Sequence, residues 1–172
     1  MARRFAETVL PHLDAAFNYA RWLTRNDADA EDVVQDACVR AMRFFSSLRD
    51  DDARGWLFAI VRNTWYSRAS RRTAATEGAP LKDAGSEPAD QAPDPEARLL
   101  QQDTVGRVRA ALEQLPSDFR EVIVLRELEG LSYKEIAAMI GVPIGTVMSR
   151  LARGRERLLA RLKADLAVET LS

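Results

Sequence analysis

The segment from residue 73 to residue 95 limits what this chain can fold into more than any other part of the sequence. It reads TAATEGAPLKDAGSEPADQAPDP, with four prolines, two glycines and Leu81 as its only large apolar residue. Such a segment buries too little apolar surface to offset the entropy that is lost when its backbone is ordered. We therefore expect a flexible linker at 73–95 between two small domains, at 1–72 and 96–172.

Charge is distributed unevenly along this chain, although its net charge is only −1. Residues 54–72 contain five arginines and no acid, and residues 144–163 contain five arginines and one lysine against one glutamate. The linker between them has one lysine and five acids. Two basic blocks separated by an acidic spacer predict two separate contacts with a polyanion such as nucleic acid, although two solvated helix faces would give the same charges.

Several functional classes find no support in the sequence. Cys38 is the single cysteine and His12 the single histidine, so neither an intramolecular disulfide nor a metal site is expected. No Ser/His/Asp set, glycine-rich phosphate loop or metal-ligand spacing is present, so we expect no enzyme, no cofactor and no small-molecule substrate. No apolar run reaches the roughly 18 residues of a membrane span, and we expect a cytoplasmic protein without membrane insertion.

Helical periodicity runs through the first domain, and no alternating pattern predicts a strand. Helices are expected at 10–24, from a cap at Asp29 onward, and at 53–70. The second helix is expected to turn its apolar residues inward: Val33, Val34, Ala37, Cys38, Ala41, Met42 and Phe45. Its opposite side is polar and consists of Asp32, Gln35, Asp36, Arg40 and Arg43. The fold class is therefore all-α.

The second domain is also helical by its pattern, with helices at 95–115, 119–130, 133–140 and 145–166. The third has a capping box from Ser132 to Glu135 and a C-cap at Gly141. A short capped helix, a glycine turn and a basic helix indicate a helix-turn-helix at about 132–158. The last helix is expected to bury Val147, Leu151, Leu158 and Leu162.

The opposite side of this last helix carries side chains suited to DNA. Thr146 and Ser149 can donate hydrogen bonds to phosphates or base edges, and Arg153 can bind guanine O6 and N7. Arg150 and Arg157 are better placed for phosphates, which position the helix without reading sequence. The alternative is an arginine-rich solvated helix, but the cap, the turn glycine and the basic helix occur together here.

Both domains resemble parts of one known family. LPSDFREVIVLRELEGLSYKEIAAMIGVPIGTVMSRLARGRERL resembles the minus-35-reading domain of sigma factors. DAEDVVQDACVRAMRFF and RGWLFAIVRNTWYSRASRR resemble their minus-10 and core-binding domain. The order of the domains, without an intermediate one, resembles the extracytoplasmic-function (ECF) group of the sigma-70 superfamily. The resemblance implies a factor that binds core RNA polymerase and directs promoter-specific initiation of transcription.

The resemblance also implies roles for individual residues. Polymerase binding, to a coiled coil of the β′ subunit, is implied for Asp32, Val33, Gln35 and Asp36. Contact with the non-template minus-10 strand is implied for Arg54, Arg62, Asn63, Tyr66, Arg68, Arg71 and Arg72. Minus-35 recognition is implied for Thr146, Met148, Ser149, Arg150, Arg153 and Arg157. Met148 and Ala152 depart from the larger or basic residues common in the family, so the family's base preference does not carry over.

The implied partners are core RNA polymerase (β′ and β subunits), promoter DNA and an anti-sigma factor. Three other readings stay open on the sequence alone. A conventional helix-turn-helix regulator would sense a ligand or a phosphate through its first half and bind DNA without polymerase. An adaptor would bind polymerase and not DNA, which the two basic blocks disfavour. An enzyme would need chemistry that the sequence does not display.

Overall fold

The computed structural model describes residues 1–49, 52–75 and 104–172. Within these ranges the chain is helical, with no strand. Its contacts divide it into two compact units, Met1–Ala89 and Asp90–Ser172. The expected all-α class with two helical regions is confirmed. Residues 76–95 of the expected linker lie outside the described residues.

The first unit is built from four α-helices. They are α1 (Ala2–Val9), α2 (Leu13–Thr24), α3 (Asp27–Phe44) and α4 (Ala53–Ala75), with 3-10 turns at Leu10–His12 and Phe45–Ser47. The helix expected from residue 10 begins at Leu13, because Pro11 lies in a 3-10 turn and has no N–H to donate. At the other end, α4 includes residues 73–75, which were expected to belong to the linker.

The start of α3 differs from the expectation that Asp29 caps it. Arg25 ends α2 in the left-handed conformation at φ 58°, and Asn26 follows in an extended conformation. The Asn26 side chain then accepts hydrogen bonds from the backbone N–H groups of Ala28 at 2.8 Å and Asp29 at 3.1 Å. Asn26 is therefore the cap, and Asp29 lies in the first turn, where a carboxylate favours the positive end of the helix dipole.

Small residues bring the helices of the first unit close together. The buried alanines are Ala16 and Ala20 on α2 and Ala30, Ala37 and Ala41 on α3. Across them, Phe58 of α4 stacks on Tyr19 of α2, with ring centroids 5.2 Å apart. Met42 was expected inward but is 56% exposed, because it follows Ala41 by one residue and is rotated about 100° from the buried stripe. Cys38 is half-buried, and this burial raises the pKa of its thiol.

The second unit contains the remaining helices. They are α5 (Thr104–Glu113), α6 (Ser117–Ile123), α7 (Tyr133–Ile140) and α8 (Ile144–Thr170), with a π-helical turn at Val124–Leu128. Its large fully buried side chains are Val122, Val124, Leu125, Ile136, Val147 and Leu151. Val105 is 73% exposed, because α5 packs through its last turn, where Ala111 and Leu112 are buried.

The predicted helix-turn-helix is present in α7 and α8. The Ser132 hydroxyl oxygen accepts a hydrogen bond from the Glu135 N–H at 3.1 Å, and Gly141 ends α7 at φ 74°. The two helices are bent by 104° at the turn, within the range usual for this motif. In the part of the chain that the structure describes, no single helix is long and apolar enough to cross a membrane, and only this bent pair passes by length and composition.

α8 lies against α6 along its first half. Gly154 is buried there, and a Cβ at this position would meet Ile123 Cδ1 at 2.8 Å and Phe119 Cβ at 3.3 Å. Glycine therefore lets the two helix backbones approach closely. Leu158 and Leu162 were expected to be buried but are half-exposed, because the buried part of α8 ends at Gly154.

Candidate functional site

α3 presents an acidic face to solvent. Asp32 and Gln35 are exposed and Asp36 is half-exposed, so three of the four residues expected to bind polymerase lie together. Val33, the fourth, is 0% exposed, so its side chain does not lie on this face. It lies four residues before Ala37 on the buried stripe of α3, so its side chain belongs to the core.

The acidic face borders a shallow recess between α3 and α4 of about 350 Å³. The recess is lined by Asp32, Gln35, Asp36, Val39 and Arg68. Arg68 reaches across from α4, with Nη2 4.0 Å from Asp32 Oδ2 and Nη1 3.8 Å from Asp36 Oδ2. One arginine therefore faces both carboxylates.

A second arginine of α4 also pairs with α3. Arg72 Nη2 lies 3.5 Å from Asp29 Oδ1. Arg68 and Arg72, which were expected on the minus-10 strand, thus lie near carboxylates of the acidic helix. Arg71 and Arg72 are exposed, and Arg68 is half-buried. The sequence spacing could not reveal this pairing, because the two helices meet only in the fold.

Another side of α4 brings together three of the expected strand contacts. The Arg62 guanidinium carbon lies 4.6 Å from the centre of the Tyr66 ring. Tyr66 is 45% exposed, and Asn63 between them is exposed. We call these three residues the arginine–tyrosine surface. It offers a cation for a phosphate, an amide for a base edge and a ring on which a base can stack.

The start of α4 is held by local contacts. Asp52 accepts a hydrogen bond from the Gly55 N–H at 3.0 Å and so caps the helix. The capping role engages one carboxylate of a loop that is otherwise unusually acidic for a surface beside DNA. Arg54, expected on the minus-10 strand, has its guanidinium carbon 5.6 Å from the centre of the buried Phe58 ring. Trp65 is buried and belongs to the core rather than to a stacking surface.

An aromatic cluster on the first unit was missed by the sequence analysis. Phe45 packs edge-to-face against Phe5 at 5.4 Å and against Trp56 at 6.5 Å between ring centroids. It ties α1 and the start of α4 to the end of α3.

The exposed side of α8 carries the expected minus-35 residues. Met148, Ser149 and Arg153 are exposed, whereas Thr146 and Arg150 are half-exposed. The Ser149 hydroxyl donates to the Thr146 carbonyl oxygen at 3.1 Å, so in this arrangement its oxygen faces outward as an acceptor. Thr146, Ser149, Arg150 and Arg153 recur at intervals of three or four residues and therefore share one polar side of α8.

Farther along α8, two arginines are held by the rest of the unit. The Arg157 guanidinium carbon lies 4.7 Å from the centre of the Phe119 ring on α6. Arg155 donates from Nε to Glu127 Oε1 at 3.0 Å, and this hydrogen bond raises the pKa of its guanidinium. The second contact fixes α8 to the π-helical turn and neutralises one charge of the basic block.

The comparisons with known proteins match both units. Residues 8–75 match sigma-70 region 2, and residues 106–158 match sigma-70, region 4. Region 2 comes first, and region 4 follows it with the helix-turn-helix. This order of regions defines a sigma-70-type transcription initiation factor. Among named relatives, the ECF RNA polymerase sigma-E factor of Escherichia coli is 37% identical over 145 residues, which cover 76% of this chain and 72% of the relative. The chain belongs to the ECF RNA polymerase sigma factors.

Other relatives extend the similarity. The ECF RNA polymerase sigma factor SigE of Mycolicibacterium smegmatis is 37% identical over 152 residues, 88% of this chain. That match covers 59% of the relative, so this chain spans less than two thirds of its length. The RNA polymerase sigma-H factor of Pseudomonas aeruginosa is 36% identical over 137 residues, 76% of this chain and 71% of the relative.

Two of the solved structures that match this chain cover nearly all of it. The sigma factor RpoE in complex with the anti-sigma factor NepR, from Bartonella quintana, is 31% identical, with a TM-score of 0.72 and coverage of 95% of this chain and 99% of the other. CnrH in complex with the cytosolic domain of CnrY is 31% identical, with a TM-score of 0.68 and coverage of 96% and 91%.

Proposed function

We propose that this sigma factor binds core RNA polymerase through the acidic face of α3, holds the minus-10 strand along α4 and reads minus-35 duplex DNA with α8. It works by binding rather than by catalysis, in the cytoplasm, where polymerase transcribes. Residues 1–72 supply the first two contacts, 73–95 connect the units and 96–172 supply the third. The observation that carries the proposal is that one unit displays two different surfaces, acidic on α3 and basic on α4.

Polymerase binding is assigned to Asp32, Gln35 and Asp36. An exposed acidic face attracts a basic partner and suppresses binding of acidic ones. Val33 contributes from inside, because it fixes the position of α3 in the core.

The minus-10 strand is assigned to the arginine–tyrosine surface together with Arg54 and Arg71. Opening a base pair costs a few kcal/mol, so the protein must offer contacts that only a single strand can use. A partly exposed Tyr66 ring beside the Arg62 cation offers them, since base–aromatic stacking contributes about 1–3 kcal/mol per base.

Minus-35 DNA is assigned to Thr146, Met148, Ser149, Arg150 and Arg153, which lie at the start of the second helix of the motif. In a helix-turn-helix this part enters the major groove. Arg157 contributes a phosphate contact from the edge of this surface, held in place by the Phe119 ring.

Control by an anti-sigma factor is part of the proposal. Both solved relatives described above are complexes with an anti-sigma protein or with the cytosolic domain of a partner. We expect co-purification from the source cells to recover an inhibitory protein that competes with core polymerase. Recovery of polymerase alone, under both resting and stressed growth, would contradict this part.

Run-off transcription with core RNA polymerase on fragments of the source genome tests the main proposal. We expect discrete new transcripts that fall at least about tenfold when Asp32 and Gln35 are both changed to Ala, a loss of about 1.4 kcal/mol in binding. Asp14→Ala is the matched control, because it removes an exposed acid of α2 outside the acidic face. Specific binding to duplex DNA without polymerase, and no transcript with it, would instead favour a conventional regulator.

Arg153→Ala tests the assignment on α8. We expect the holoenzyme to lose about 1–3 kcal/mol of affinity for its own minus-35 element, because a guanidinium bound to guanine contributes about that much discrimination. The measurement is a competition assay between matched and scrambled minus-35 duplexes. Lys163→Ala removes one exposed charge lower on the same helix and should preserve the preference. An unchanged preference in Arg153→Ala would remove Arg153 from base recognition.

A further inference from the structure

Arg68 lies on the side of α4 that faces α3. It lies six residues after Arg62 and two after Tyr66, so on a helix with 3.6 residues per turn it is rotated about 160° from Tyr66. A strand bound along the arginine–tyrosine surface would therefore pass on the other side of α4. Arg68 instead faces Asp32 and Asp36 in the recess beside α3.

The contacts of Arg68 are long and partly hydrated. Its side chain is 29% exposed and the carboxylates of Asp32 and Asp36 are 59% and 40% exposed. Separations of 3.8–4.0 Å between such groups contribute little to folding stability. An incoming cation can therefore replace this guanidinium without disturbing the fold.

We propose that Arg68 is a built-in competitor for the polymerase contact. It occupies the recess and neutralises part of the charge of Asp32 and Asp36 until a basic side chain of the partner replaces it. The inference rests on the proposed function, because it assumes that the acidic face binds polymerase. Arg68 is thus a positioning residue of the polymerase contact and not a DNA contact.

Arg68 lowers the negative charge that a cation meets at the acidic face. With Arg68 in place, an approaching cation meets two carboxylates and one guanidinium, a net charge of −1. Without Arg68 it meets −2, and interaction energies between charges scale directly with their product. Removing Arg68 should therefore tighten polymerase binding, whereas a helix-bracing or DNA-binding role predicts no gain.

The experiment measures the affinity of the fluorescently labelled full-length protein for core polymerase. We expect Arg68→Ala and Arg68→Gln to bind about three- to tenfold more tightly than the natural protein at an ionic strength of about 0.01 M, where the Debye length is roughly 30 Å. The gain should shrink at about 0.15 M, where that length is roughly 8 Å. Arg68→Lys keeps the charge and should restore the natural affinity.

Two controls separate the possible causes. Arg3→Ala removes one exposed positive charge from α1, outside the residues that line the recess, and should leave polymerase affinity unchanged. In a protein that already carries Asp32→Ala and Asp36→Ala, changing Arg68 should have no further effect, because the competitor then lacks its partners. Minus-10 strand binding by the assembled holoenzyme should be the same in Arg68→Gln and in the natural protein.

Two results distinguish the competitor role of Arg68 from the polymerase contact of the acidic face. If Asp32→Ala with Asp36→Ala weakens polymerase binding but Arg68→Gln does not tighten it, the competitor role is overturned and the acidic face remains the contact. If the two aspartate changes leave polymerase binding unaltered, the assignment of α3 itself fails. Tryptophan fluorescence in urea identifies any variant whose affinity changes only because it has unfolded.

Discussion

Phe58→Ala is expected to unfold the first unit at or near the growth temperature. Phe58 is 0% exposed, stacks on Tyr19 and links α4 to α2. Truncation of a buried phenylalanine to alanine costs about 3–5 kcal/mol, through lost transfer energy and the cavity that remains. A domain of about 70 residues has a total stability of only roughly 4–10 kcal/mol. We therefore expect this one change to remove most of that stability.

The measurement is urea unfolding followed by tryptophan fluorescence. All three tryptophans of the chain, Trp22, Trp56 and Trp65, lie in the first unit, so the signal reports that unit alone. Phe44→Ala is the matched control, because it makes the same chemical change at a side chain that is 58% exposed. It should shift the free energy of unfolding by less than about 1 kcal/mol. Equal effects of the two changes would show that Phe58 does not organise the core.

The features that the sequence predicted well are those set by neighbours in the chain. The Ser132 cap and the Gly141 turn depend on hydrogen bonds within a few residues, and both were expected where they occur. Periodicity likewise identified α3 and its polar side. The exposed side of α8 followed from the same pattern, because a helix that buries Val147 and Leu151 must turn the residues between them outward.

The features that were missed depend on residues far apart in the sequence or on how a preceding helix ends. Asn26 became the cap of α3 because α2 ends at a left-handed Arg25. Arg68 faces Asp32 and Asp36 because α3 and α4 pack side by side, which no local pattern records. Val33 was assigned to the interface from a motif, although the spacing of the apolar residues of α3 already placed it inward.

The separation of functions on α4 follows from its geometry. One helix carries the arginine–tyrosine surface on one side and Arg68 on the other, and its buried residues Leu57 and Val61 hold it in the core. A contact that displaces Arg68 therefore acts on the same rigid element that would hold the minus-10 strand.

Gly154→Leu is expected to separate α8 from α6 and to abolish minus-35 recognition. The Cβ alone would lie 2.8 Å from Ile123 Cδ1 and 3.3 Å from Phe119 Cβ, and the rest of a leucine side chain would extend into the same space. Overpacking of this kind costs about 1–3 kcal/mol or more, because the neighbours must shift. Phe119 also holds the Arg157 guanidinium, so a displaced α6 would disturb that contact as well.

Gly145→Leu is the matched control, because it makes the same change on the same helix where no heavy atom lies within 4 Å of the added Cβ. Its effect on stability should be small or favourable, since leucine favours a helix more than glycine does. Hydrogen exchange of the amides in residues 117–158 should accelerate in Gly154→Leu and not in Gly145→Leu. Tryptophan fluorescence should show the same urea midpoint in both variants, because all the tryptophans lie in the first unit. Unaltered exchange in Gly154→Leu would mean that α6 and α8 tolerate a wider spacing, and that Gly154 does not set the position of the recognition helix.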